Sequence, residues 1–213
     1  MKPDELKSST RSGRPKKKSA EEIRFEHGTN PNSRDPKQRQ RAEATLELIR
    51  FIQPRGFTLT PASYLPWDGN CYFAALHFFM CQWGIVENWT VKSLREAVFM
   101  YMKEHRDDED SVFFLAYTHT DAGDDEDLRR KFFAEDCEFL ATHSQYFIEK
   151  STIGDMVPLG ISLTFNISIK LLSPRNEKNP EQIIGDPHAP RQMVLGYIDI
   201  GDSQHVQALV PCS

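Results

Sequence analysis

The chain has 213 residues, a length that allows one compact domain with a tail or two small domains. Its charge is divided unevenly. Residues 1–41 carry 12 basic and 6 acidic side chains, a net of +6, whereas residues 42–213 carry 14 basic and 25 acidic ones, a net of −11. An acidic body argues against a domain that coats nucleic acid and leaves only the tail to bind polyanions weakly.

Residues 1–41 are predicted to form a disordered basic tail, because they combine Lys, Arg, Ser, Pro and Asn with almost no large apolar side chains. The basic run at residues 14–18 is compatible with a nuclear-import signal, a polyanion-binding patch or a solubilising tail. No apolar export signal opens the chain, so we expect an intracellular location, in the cytoplasm, the nucleus or both, with reduced cysteines. The uncharged residues 69–86 include polar side chains, which favours a buried helix over a membrane span.

Three helices are predicted in the first half of the body. Apolar residues recur at helical spacing from about residue 41 to residue 52, and Pro54 with Gly56 ends this pattern. Residues 71–82 are apolar on nearly all sides, which is typical of a helix buried in a core. Thr90 is a suitable N-cap for a third helix, whose apolar face consists of Val91, Leu94, Val98 and Met102.

Two further helices are predicted in the second half. The first runs from about residue 127 to residue 141 and should bury three residues of one face, namely Leu128, Phe132 and Phe139. Asp155 is expected to cap the second helix, in which Pro158 falls in the first turn, where proline is tolerated. Leu159 and Leu163 would form the apolar side of this helix.

Strands gather at the C-terminal end of the chain. Residues 167–172, residues 193–198 and residues about 205–210 have strand patterns, and a turn at residues 199–203 joins the last two. Residues 174–191 are polar and rich in proline, so a long exposed connection is expected there. Helices first and strands last predict an α+β fold with a small, mostly antiparallel sheet flanked by helices.

The strongest chemical signal is a tight Asp68-Gly69-Asn70 loop that delivers Cys71 to the first turn of a hydrophobic helix. Unpaired amides and the positive end of the helix dipole favour an anion there, so we expect a lowered pKa for the Cys71 thiol. These amides and those of the loop can donate hydrogen bonds to a developing oxyanion. The alternative interpretation, in which Cys71 is a small buried hydrophobic residue, stays open.

A cysteine nucleophile also needs a base, and the chain offers seven histidines. Physical reasoning alone selects none of them. His205 begins a terminal strand after a tight turn, a rigid position from which its ring could reach a distant helix N-terminus. Each histidine taken singly is compatible with an ordinary surface or core side chain.

Residues 68–75, with the sequence DGNCYFAA, resemble the nucleophile motif of the ovarian-tumour (OTU) family of cysteine proteases. Later segments match the family pattern in order: residues 91–98, 154–172, 193–197 and 205–209. The resemblance covers about residues 59–210. Two positions depart from it, because Ile153 stands where a tryptophan is usual and Gln207 stands where Asp or Asn usually orients the catalytic imidazole.

The resemblance implies a papain-like OTU fold for residues 42–213 and hydrolysis of isopeptide or peptide bonds at the C-terminus of ubiquitin. Cys71 would be the nucleophile, His205 the general base and acid, and Asp68 would shape the loop whose oxyanion hole includes Gly69 and Asn70. The expected partners are conjugates of ubiquitin or a ubiquitin-like modifier, with no membrane partner. The resemblance implies that no metal or organic cofactor is required.

The residue that orients His205 is left open among three candidates. Gln207 has a side-chain carbonyl that can accept the ring N–H, although a neutral amide stabilises an imidazolium less than a carboxylate does. Asp199 and Asp202, in the preceding turn, are the substitutes.

Two other functions are compatible with the sequence. Gln207 and Ile153 favour a catalytically weak or inactive OTU-like protein that binds a modifier without cleaving it. The basic tail favours an interaction protein that works through residues 1–41.

Overall fold

The computed structural model describes residues 32–60, 67–85, 88–108, 111–144, 148–201 and 203–212. The predicted basic tail therefore lies outside the described residues as far as residue 31. The first described helix, α1 (Pro36–Ile52), begins at the Asp35 N-cap, whose carboxylate accepts a hydrogen bond from the Lys37 amide. Helix α1 thus includes residues 36–41, which the composition had assigned to the tail.

Five further helices follow α1 within the described residues. Their bounds are α2 (Cys71–Gln82), α3 (Val91–Glu104), α4 (Val112–Ala116), α5 (Glu126–Thr142) and α6 (Val157–Phe165). The predicted cap of α3 is confirmed: Thr90 and Ser93 exchange side-chain to backbone hydrogen bonds in a capping box. None of the described helices combines the length and the apolar character needed to cross a membrane.

A five-stranded sheet forms the other layer of the domain. Its strands are β1 (Phe57–Leu59), β2 (Ser168–Leu172), β3 (Glu181–Ile184), β4 (Gln192–Asp199) and β5 (Gln204–Pro211). The spatial order is β1-β5-β4-β2-β3, with β2 and β4 parallel and the other neighbours antiparallel. The prediction of an α+β fold with a mostly antiparallel sheet is confirmed.

The sheet buries a core on each face. One cluster packs α2, α3, α5 and α6 against strand residues that include Val206 and Ala208. The other packs α1 against Ile198 and Leu209. Because side chains alternate along β5, His205 lies on the α1 face with Leu209, and its strand partner Ile198 shares that face.

Helix α5 buries a different face from the one predicted. Phe133, Cys137 and Leu140 are fully buried, whereas Phe139 is 39% exposed. Leu128 and Phe132 are half-buried. The prediction was wrong because the aromatic spacing suits two adjacent helical faces, and only the contacts with α3 decide between them.

Helix α6 begins later than predicted. A 3₁₀ turn (Ile153–Met156) precedes it, and its N-cap is Met156 rather than Asp155, whose side chain makes no cap. Leu163 is 40% exposed, while the fully buried Ile161 faces the core. The tight turn rotates the start of the helix and so changes which apolar residues point inward.

The segment at residues 174–191 is not entirely an exposed connection. Strand β3 lies within it and pairs with β2 as an edge strand. Alternate residues of β3 are exposed, and Ile183 on its outer side is 47% exposed. A short edge strand flanked by prolines carries too weak an apolar pattern to be recognised from sequence.

Candidate active site

The loop before α2 is shaped by its own backbone and side chains. Gly69 has a φ of +80°, a conformation that favours glycine over residues with a Cβ atom. The Asp68 carboxylate accepts a hydrogen bond from the Asn70 amide, with an N···O distance of 3.0 Å. That amide is therefore already engaged, and an oxyanion at this position would compete with Asp68 for it.

Cys71 is the first residue of α2, and its side chain is 2% exposed. Burial raises the pKa of the Cys71 thiol, and the negative charge of Asp68 acts in the same direction. The backbone amides of Val206, Tyr72 and Cys71 itself donate toward the sulfur and favour the thiolate, but their effect is smaller than that of burial. The expectation of a lowered pKa is therefore wrong for this closed arrangement. The resting group is a thiol.

His205 is also buried, with 2% exposure. Burial lowers the pKa of His205 to about 3, and the positive charge of Arg41 acts in the same direction. The ring is consequently a neutral imidazole at neutral pH. It can still accept a proton if the thiolate that forms beside it, or an opening of the site, stabilises the imidazolium.

Gln207 contacts the imidazole directly. Its amide nitrogen lies 3.0 Å from Nε2 of His205, and its Oε1 is buried with no hydrogen-bond partner among the described residues. The amide donates to Nε2 in this orientation, and a 180° rotation would make Oε1 accept from Nε2–H instead. In both cases Gln207 occupies Nε2, so Nδ1 is the ring nitrogen that Gln207 leaves unoccupied.

Strand β5 connects the two reactive side chains. The Val206 amide donates toward the Cys71 sulfur, and the preceding residue of the strand carries the imidazole. Between the thiol and the imidazole themselves, the described part of the chain contains no hydrogen bond.

The two aspartates of the β4–β5 turn were candidates for orienting the His205 ring, and one of them lies within the described residues. Asp199 accepts a hydrogen bond from the Gly201 amide, with an N···O distance of 2.7 Å, and so braces the turn rather than the imidazole. Asp202 lies outside the described residues. Of the described candidates, Gln207 is the one that reaches His205.

Trp67 covers the imidazole and Arg41 lies over Trp67, and no sequence pattern singles out either residue. The Trp67 indole stacks on His205. The guanidinium of Arg41, a residue of α1, lies 4.5 Å from the centroid of the indole. Trp67 directly precedes the Asp68 motif, which is the only local signal for it. Its contact with His205 depends on tertiary structure.

Arg95 is a second residue that sequence patterns did not identify as part of the site. It belongs to α3, within the segment that matches the family pattern, and its guanidinium donates to the Asn70 side chain. Ile153, at the position where a tryptophan is usual, is fully buried in the core.

A groove of about 480 Å³ is lined by neighbours of Cys71 and His205 in the chain. Its lining includes Tyr72, which follows Cys71, and Gln204, which precedes His205. Asp155, Asp199 and Arg175 also line the groove, and Arg175 is ion-paired with Glu47. Among the described residues, no group of three His, Cys, Asp or Glu side chains is placed to hold a metal ion.

One solved structure with a similar fold is that of the OTUD1 OTU domain. The TM-score is 0.52 at 15% sequence identity, and the match covers 82% of this chain and 99% of that one. No protein-family profile matches the sequence, and no curated protein matches it either. The chain has an OTU-like α+β fold, and at this identity the likeness concerns the fold alone.

Proposed function

We propose that this protein is a thiol-dependent isopeptidase that removes ubiquitin or a ubiquitin-like modifier from its conjugates. The observation that carries the proposal is the meeting of α2 and β5, where the Val206 amide reaches the Cys71 sulfur and His205 is held by Gln207. The OTU-like fold and the Asp68–Cys71 motif support the substrate class.

The chemistry would begin once Cys71 and His205 come within hydrogen-bond reach, when the thiol proton passes to the imidazole. The sulfur attacks the carbonyl carbon of the modifier's C-terminal glycine, and the Cys71 amide stabilises the oxyanion. The imidazolium then protonates the departing amine, which leaves a thioester on Cys71. Water gives a proton to His205 and attacks the thioester, which releases the modifier carboxylate and regenerates the thiol.

The groove lined by Tyr72 is a suitable place for the C-terminal tail of such a modifier. A peptide lying there would contact Tyr72, the residue after Cys71. The carboxylates of Asp155 and Asp199 favour basic side chains in that peptide.

A second candidate function is supported by the burial of both reactive groups. Cys71 and His205 are each 2% exposed, and both are neutral at rest because burial disfavours their charged forms. A domain that stayed in this state would bind a modifier without cleaving it. The enzyme hypothesis therefore requires both groups to become accessible when substrate binds.

A ubiquitin probe with a C-terminal propargylamide separates the two functions. Covalent labelling of the wild type, absent in Cys71→Ala and retained in Cys81→Ala, would support the enzyme. Cys81 is an exposed thiol on the same helix, which makes it a matched control. Binding of ubiquitin without labelling, in the wild type and in Trp67→Ala, would support the binding protein. A protein that neither binds ubiquitin nor is labelled by the probe would contradict both functions.

A further inference from the structure

A buried arginine lies behind the loop that carries Cys71. Arg95 is 2% exposed, and its guanidinium lies 4.7 Å from the centroid of the Phe73 ring. Nε donates to Oδ1 of Asn70 at 3.1 Å, and Nη2 donates to the same oxygen. Nη2 also donates to the Gly69 carbonyl at 3.0 Å. The guanidinium therefore binds both residues that precede Cys71.

The same side chain connects this loop to the end of α5. Nη1 donates to the Leu140 carbonyl at 3.1 Å, and Nη2 donates to the Ser144 carbonyl at 3.2 Å. Carbonyls at the C-terminal end of a helix carry the negative end of its dipole and so stabilise a buried cation. Burial lowers the pKa of Arg95 to about 10, while the charge of Asp68 acts in the opposite direction, so the group stays charged at neutral pH.

The side chain of Asn70 does not cap helix α2. It is the N-cap residue of α2, but its side chain accepts no hydrogen bond from the first turn. Its Oδ1 is bound by Arg95 instead. The amides of Cys71 and Tyr72 are consequently available to the Cys71 sulfur, toward which they donate.

We propose that Arg95 is a positioning residue of the candidate active site, whose guanidinium holds Gly69 and Asn70 so that the first amides of α2 stay directed at the Cys71 sulfur. The catalytic meaning of this inference rests on the proposed function, but the geometry governs the reactivity of Cys71 toward any electrophile. A lysine does not replace Arg95, because a single ammonium lacks the planar fork that reaches the loop and the α5 carbonyls together.

The test compares Arg95→Lys and Asn70→Ala with a control, Arg106→Lys. Arg106 is bound to Asp107 at the surface, away from the Cys71 loop. The measured quantity is the rate of Cys71 alkylation by iodoacetamide as a function of pH, followed by peptide mass spectrometry. Because Cys71 is buried, the reaction is followed over long times, and the exposed Cys81 gives the reference rate in each sample.

Arg95→Lys should slow Cys71 alkylation near neutral pH by about tenfold and should move the pH midpoint of the reaction upward. The reason is that the Cys71 thiolate would lose oriented amide donors. Asn70→Ala should act in the same direction, and adding Arg95→Lys to it should change little further, as expected for two residues in one contact. Arg106→Lys should change neither quantity.

An unchanged rate and pH midpoint in Arg95→Lys or in Asn70→Ala would overturn the inference. If Arg95→Lys fails to fold, as judged by its thermal melt, Asn70→Ala decides alone, because it retains the guanidinium and its carbonyl partners. An Arg95 effect on alkylation in a protein that the ubiquitin probe does not label would contradict the proposed function and leave this inference standing. Labelling by the ubiquitin probe that is as fast in Arg95→Lys as in the wild type would contradict this inference and leave the proposed function standing.

Discussion

The Trp67 indole lies parallel to the His205 imidazole, with ring centroids 3.9 Å apart and 13° between the planes. Stacking of this kind removes one face of the imidazole from water, and Arg41 lies beyond the indole. The arrangement explains why a histidine at the rim of the sheet is almost fully buried. It also makes the neutral ring the stable form, because an imidazolium in this place would be poorly hydrated.

Replacing Trp67 with alanine should expose His205 and raise its pKa from about 3 toward the ordinary 6.5, by at least about one unit. The imidazole Cε1–H signal, assigned with His205→Gln and followed by NMR across a pH titration, measures the change. Trp83→Ala is the control, since that indole packs on Phe79 at the other end of α2. An unchanged titration in Trp67→Ala would mean that the indole is not what keeps the ring from water.

Replacing Arg41 with methionine should raise the pKa of His205 by a smaller amount than Trp67→Ala does. Burial is the larger cause of the low pKa, and the charge of Arg41 is the smaller one. Methionine keeps an apolar stem over the indole while removing the charge. Arg50→Met, an exposed position in the same helix, should leave the titration as it is. A larger rise in Arg41→Met than in Trp67→Ala would reverse this ranking of causes.

Stability should fall as the pH falls below about 6, in part because of His205. The unfolded chain takes up a proton near pH 6.5 that the folded chain accepts only near pH 3, so acid favours unfolding between these values. Relative to His205→Gln, the wild type should lose about 1.4 kcal/mol of unfolding free energy for each pH unit in this window.

Urea unfolding at several pH values between neutrality and mild acid gives this slope. His188→Gln, at an exposed histidine, serves as the control and should retain the wild-type slope. Parallel curves for the wild type and His205→Gln would show that the folded chain accepts the proton as readily as the unfolded one.

Removing the partner of the imidazole should weaken catalysis without abolishing it. Gln207→Ala deletes the group bound to Nε2 of His205 and should slow labelling by the ubiquitin probe about fivefold, the usual effect of one net hydrogen bond. Gln207→Glu should label faster than Gln207→Ala, because a carboxylate stabilises the imidazolium. Gln192→Ala removes a comparable amide that is bound to Ser168, and it should be neutral. Equal rates in Gln207→Ala and the wild type would assign the orientation of the ring to another group.

Native alkylation by iodoacetamide should modify Cys81 and Cys212 before Cys71, and Cys137 last. The first two thiols are exposed and the other two are buried, with pKa values that burial raises. Cys71 should precede Cys137 because backbone amides donate toward its sulfur. Timed quenching with peptide mass spectrometry gives the order, and reaction in urea should make the four rates similar. Modification of Cys71 ahead of the exposed thiols would indicate an open site in solution.

The local elements of the fold were largely predictable, because they depend on short-range patterns. The bounds of α2, the Thr90 cap and the C-terminal strands follow from hydrophobic periodicity and capping chemistry. The buried face of α5 and the edge strand β3 were not predictable in this way. Both are selected by what packs or pairs against them, and β3 lies in a sequence that looks like a loop.

The candidate site divides in the same manner. A cysteine at a helix N-terminus after an Asp-Gly-Asn loop is a local arrangement, and the chain places it there. The protonation states of that site depend on burial, which no local pattern reports. The local dipole argument therefore gave the wrong direction for the pKa of Cys71.

The amino-acid sequence by itself determined most of the helices, the C-terminal strands and the loop that presents Cys71, and its resemblance to a known motif pointed to His205. Only the tertiary structure brought Val206 to the sulfur, Trp67 onto the imidazole and Arg95 under the loop. Contacts between residues far apart in the chain form when the sheet and helices pack together, so their geometry belongs to the folded domain and not to any segment of it.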